Sequence, residues 1–179
     1  MAVDTEGRAV VVGSTQSTDF PTARPAQAAS GNRSCGPAEQ CSDAFVTRLG
    51  ADGGTLDFST YVGGKADDDG LGVAVDLVGN VYATGTTDSP DAPTRDATQP
   101  ALAGRIDALV TELAGRDGAL ARSSFLGGTD DDGADAVAVG PDGSVVLAGR
   151  TVSRDFPGSP AQQDARGPED YDAFVTTLP

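Results

Sequence analysis

The stretch "YVGGKADDDGLGVAVD" at residues 61–76 returns as "FLGGTDDDGADAVAVG" at residues 125–140. Each copy sets aspartates between a glycine pair that closes one apolar run and the start of the next. Laying the chain on itself around this pair exposes a longer repeat. "DAFV" begins at Asp43, "DALV" at Asp107 and "DAFV" again at Asp172. "STDFP" at Ser17 answers "SRDFP" at Ser153, with a degenerate "SPDAP" at Ser89 between them. Each of these prolines is followed six residues later by a glutamine: Gln27, Gln99 and Gln163.

Each unit reads as four short strands. In the middle unit they are "GVAVD" from Gly72, "NVYATGT" from Asn80, "DALVTEL" from Asp107 and "LARSSFLGG" from Leu120. All are rich in Val, Thr and aromatic residues, and the last two alternate in polarity. The connections between strands one and two ("DTEGR", "DLVGN", "GPDGS") and between three and four ("GADGG", "AGRDG") are tight. Asp-Gly and Gly-Asn belong there because such turns need positive φ. No window keeps a 3.6-residue period with caps. Repeated four-stranded antiparallel units point to a β-propeller. The expectation is an all-β chain: a partial or open propeller segment of about three four-stranded antiparallel blades, forming one body over residues 1–179. Its units run 1–71, 72–135 and 136–179, the last lacking its outer strand.

The phrases "DAFVTRLGADGGTLDFSTYVGG" and "STYVGGKADDDGLGVAVDLVGNVYATGTT" resemble a bacterial β-propeller repeat family often called SBBP. Its members carry DAFV-T-KL, STYLGG-DD, GIAVD-GN-YVTG and DFPT segments in this order. The likeness covers almost the whole chain. It implies a propeller within a long secreted or surface protein, and it implies no catalytic residues.

The net charge is −15, and Glu occurs only at positions 6, 39, 112 and 169. Asp favours turns where Glu favours helices, so the acidity reads first as turn chemistry. It argues against nucleic acid and anionic membranes as partners. The absence of histidine excludes a Ser-His-Asp triad and any His-ligated metal site. No apolar run is long enough to span a membrane, and "MAVDTEGRAVVVG" is not a signal peptide. The family likeness favours an extracellular or cell-surface location, with the cytoplasm left open.

In an up-and-down blade the tight hairpins share one face. The long loops between strands two and three (14–42, 86–106 and 150–171) share the other with the aspartate-rich linkers between blades. Aligned on their glycine pairs, the linkers match Asp67 with Asp131 and Asp68 with Asp132. Three readings stay open for these four residues. They can bind linker N–H groups and fix the angle between blades, hold calcium, or act as catalytic carboxylates. The spacing lacks the D-x-D-x-D-G ladder of a calcium loop. Cys35 and Cys41 lie in an insertion of the first long loop and are expected to form a disulfide staple. Phe20 and Phe156 are expected to tuck their loops onto the blade, and Tyr61, Phe125, Phe45 and Phe174 to lie in the core.

The function expected is a non-catalytic scaffold without cofactor, calcium aside, whose long-loop face binds protein or carbohydrate. The alternatives are a glycan-active propeller enzyme using loop-face carboxylates, or a piece of a larger propeller with no separate activity. An open arc is expected to expose apolar residues such as Val10, Val12, Val145 and Leu147 on its side faces. Further blades of the same chain, or further copies, are expected to complete the ring.

Overall fold

The computed structural model describes residues 1–31, 41–157 and 171–178. Among the described residues eleven strands form three antiparallel sheets. The first holds β1 (Ala2–Val3), β2 (Ala9–Thr15), β3 (Asp43–Leu49) and β4 (Leu56–Val62). The second holds β5 (Asp68–Val75), β6 (Val81–Thr87), β7 (Asp107–Leu113) and β8 (Leu120–Leu126). The third holds β9 (Asp132–Val139), β10 (Val145–Thr151) and β11 (Asp172–Leu178). Strand order follows chain order in every sheet, no sheet is closed, and there is no helix among the described residues. This is the arrangement of an open propeller of three blades.

The turns explain much of the acid. Asp4, Asp76 and Asp142 each take a backbone N–H two residues on, at 2.9–3.0 Å, and Gly7, Gly79 and Gly143 follow at φ +77°, +91° and +84°. The β3–β4 turn does the same with Asp52 and Gly53. A side chain that imitates a turn carbonyl, followed by a residue free to adopt positive φ, is what a tight hairpin needs.

The sheets stack through their first strands. β5 packs against β2 and β3, and β9 against β5, β6 and β7. One core joins Val10, Val46, Phe58 and Val62 to Val81, Leu109 and Leu113. The other joins Ala108, Val110 and Leu126 to Ala134, Val145 and Leu147. This corrects the expected exposed side faces: Val10 and Leu147 are 0% exposed, and Val145 is buried too. Alternation along a strand gives two sets of residues. The set containing Val10 and Val12 faces the second sheet, and the set containing Val145 and Leu147 faces back toward it. On β11 it is Val175 that is exposed, at 73%.

Two further features depart from the sequence reading. The first strands of the later sheets begin at Asp68 and Asp132, ahead of the expected starts at 72 and 136, so these aspartates open strands instead of sitting in linkers. The extension is irregular: the β5–β6 register shifts between Gly70 and Gly72. That bulge interrupts the apolar alternation from which a strand would be read. The long loops, moreover, run down the outer strands. Ala23 exchanges both backbone hydrogen bonds with Ser59, and Arg95 with Ser123. An edge that would stay open for pairing is thereby covered.

Candidate functional site

The repeated residues meet at the junctions between sheets, on the long-loop side. After β4 the chain passes through Gly63 and Gly64 and turns into β5 at Asp68. Oδ2 of Asp68 accepts the Gly64 N–H at 2.7 Å and the Ser89 hydroxyl at 2.8 Å. Ser89 itself comes from the loop after β6, where its N–H donates to Thr87 Oγ1 and its Oγ accepts the Ala66 N–H. Nearby, Asp91 Oδ1 accepts the Lys65 N–H at 3.0 Å and Oδ2 pairs with Lys65 Nζ at 2.9 Å. One segment of the next blade thus holds the linker from two points.

The second junction repeats this with different surface residues. Oδ2 of Asp132 accepts the Gly128 N–H at 2.6 Å and the Ser153 hydroxyl at 2.8 Å. Ser153 Oγ accepts the Asp130 N–H, and Asp155 Oδ1 accepts both the N–H and the hydroxyl of Thr129.

A second buried carboxylate stands at each junction. Asp43 opens β3, and its Oδ2 accepts the Gly31 N–H at 2.9 Å. Asp107 opens β7 and accepts the Ala103 and Gly104 N–H groups and Gln99 Nε2. Gln27 and Gln99 fasten the loop to the outer strand's end: their Oε1 atoms accept the Gly63 and Gly127 N–H groups at 3.2 and 3.0 Å.

Charge follows burial. Burial pushes the Asp68 carboxyl up to about 7, outweighing the bonds from Gly64 and Ser89, and neighbouring Asp43 adds to the rise. Burial also raises Asp132, and it raises Asp107 with help from Asp132. At the surface, the Lys65 partnership lowers Asp91, and the Thr129 N–H lowers Asp155.

The four calcium candidates are therefore not gathered around one point. Asp68 and Asp132 are buried at separate junctions. Asp67 is exposed, with Oδ1 accepting the Ser42 N–H at 2.8 Å. Asp131 pairs with Arg105. Among the described residues no group of three or more His, Cys, Asp or Glu side chains is placed to hold a metal ion. Cys41 is buried and disulfide-bonded, while Cys35 lies outside the described residues, as does Gln163. Phe20 packs on Phe45 with ring centroids 4.5 Å apart, and Phe156 on Phe174 at 4.3 Å. These rings pin loops to blades. The Tyr61 hydroxyl adds to this by accepting the Phe20 N–H and donating to the Ser17 carbonyl.

Sequence reasoning passed over Asp43, Asp107, Ser89, Ser153, Asp91 and Asp155 as site residues. Their signal was on view: the first letter of each "DAFV" or "DALV", and the Ser and Asp of each "S-x-D" motif. What was hidden was that one blade's motif meets the preceding linker.

A family model described as SBBP, Beta-propeller repeat, matches residues 57–90, so the chain carries this repeat there. The matched stretch contains Gly63, Gly64, Asp68 and Ser89 of the first junction, while Asp43 and Asp91 lie outside it. No curated protein matches the chain.

Proposed function

We propose that this propeller segment is a non-catalytic scaffold whose long-loop face binds a protein or carbohydrate partner outside the cytoplasm. The observation that carries the reading is the engagement of the repeated carboxylates. Asp68 and Asp132 are buried and take donors from the linker and the following blade. Carboxylates placed this way hold blades together. A glycosidase needs two carboxyl groups that reach a substrate. Around this frame the exposed positions differ between junctions: Lys65 against Thr129, Pro90 against Arg154. A rigid frame with varied surface residues suits recognition.

The disulfide at Cys41 supports an oxidising compartment. The outer edge of β11, unpaired among the described residues, and exposed Val175 support pairing with further strands, from the same chain or another copy. A glycan array together with a hydrolysis screen on the intact protein tests the reading. Binding without turnover is expected. Turnover that disappears on replacing a loop-face carboxylate would favour the enzyme.

A further inference from the structure

The two junctions between sheets are built differently toward their hairpin ends. In the first sheet, Val10, Arg48 and Phe58 are direct cross-strand partners. Arg48 is 2% exposed. Its guanidinium lies over the Phe58 ring, 4.8 Å from the centroid, with Nη1 donating to the Gly79 carbonyl at 3.4 Å and Nε 3.3 Å from Asp57 Oδ2. A cation thus fills this junction from within.

In the second sheet the same row of cross-strand partners reads Tyr82, Glu112 and Arg122. The repeat puts Glu112 where Arg48 stands, and Gly143 where Gly79 offers its carbonyl. Here the junction contains a cavity of about 150 Å³, lined by Tyr82, Glu112, Arg122, Ser124, Gly143 and Leu178 among others. A cavity of this size accommodates a molecule as large as benzene. Arg122 is drawn toward the loop, its Nε donating to the Asp96 carbonyl at 3.3 Å. Burial, and then the carboxylates of Glu112 and Asp76, push the Tyr82 hydroxyl up to about 12. The net charge of −15 favours the approach of cations.

We propose that the cavity between the second and third sheets binds a guanidinium group, which takes the place that Arg48 fills at the first junction. The bound group donates to the Glu112 carboxylate and the Gly143 carbonyl beside the Tyr82 ring. This site lies toward the hairpin end of the sheets, with Thr98 of the second long loop forming part of its wall. The guanidinium can belong to a free small molecule or to an arginine side chain of a partner protein.

The test is an NMR titration of the full chain with methylguanidinium, methylurea as its neutral isostere, and a blocked arginine peptide. Methylguanidinium is expected to shift resonances of Tyr82, Gly143 and Leu178, with methylurea at least about tenfold weaker. Tighter binding of the blocked peptide would identify a protein side chain as the source, and tighter binding of methylguanidinium a free small molecule. Glu112→Gln should weaken binding about tenfold, and Glu112→Arg, which supplies the cavity with its own guanidinium, should abolish it. No shift, an equal response to methylurea, or full affinity in Glu112→Gln would overturn the proposal. If the variants do not fold, the comparison of methylguanidinium with methylurea on the native chain decides alone.

Discussion

Asp43 and Asp68 close on Gly63 from two sides: a methyl group on this glycine would stand 2.6 Å from Asp43 Oδ1 and 2.6 Å from Asp68 Oδ2. Gly127 stands in the same relation to Asp107 and Asp132, at 2.5 and 2.9 Å. The glycine of the linker is therefore the space in which two buried carboxylates meet.

Gly63→Ala and Gly127→Ala should each destabilise the protein by about 1–3 kcal/mol in urea melts, because neither carboxylate can move without giving up its N–H donors. Gly53→Ala is the control. Gly53 has φ +67° and nothing within 4 Å of an added methyl, so only backbone strain of about 1 kcal/mol is expected. Equal losses at all three positions would mean that the carboxylates do not crowd the glycine.

Stability should fall as pH rises from 5 to 8. The Asp68 carboxyl is held at about 7 against an ordinary value of 3.8, so between these values the folded chain keeps a proton that the unfolded chain has released. The resulting penalty is absent below the lower value and complete above the upper one. Asp91 and Asp155, whose carboxyls are lowered, act the other way and lose their contribution only in stronger acid. Asp68→Asn should flatten the decline between pH 5 and 8 in thermal melts. An unchanged slope in that variant would remove Asp68 as its cause.

Partner binding should survive charge reversal at Asp52 and Asp117, which lie in the hairpins between third and fourth strands. It should drop on reversal at Lys65 and Arg105, both exposed on the opposite side. The opposite pattern, measured on a bound glycan or protein, would place the binding face at the hairpins.

Most of the architecture was legible because repetition magnifies weak signals. β7 spans the expected residues Asp107–Leu113, since an apolar run opened by Asp and closed by a turn allows one reading. The starts of β5 and β9 were hidden by polar residues and a bulge that mask the two-residue period. The path of the loops was hidden for another reason. Ala23 and Arg95 join the outer strands through backbone bonds, which leave no mark on side-chain pattern. Asp68 and Asp132 stood out as repeated, but their partners Ser89 and Ser153 come from the following blade, a relation that only the fold supplies.

The most direct test of the account is thermal melting with and without a calcium chelator, run beside Asp68→Ala and Asp132→Ala. If these carboxylates hold the junctions through Gly64, Gly128, Ser89 and Ser153, chelator leaves the melting temperature unchanged and each substitution costs about 1–3 kcal/mol. A chelator-induced fall of many degrees, restored by calcium, would contradict the account and make the junctions metal sites.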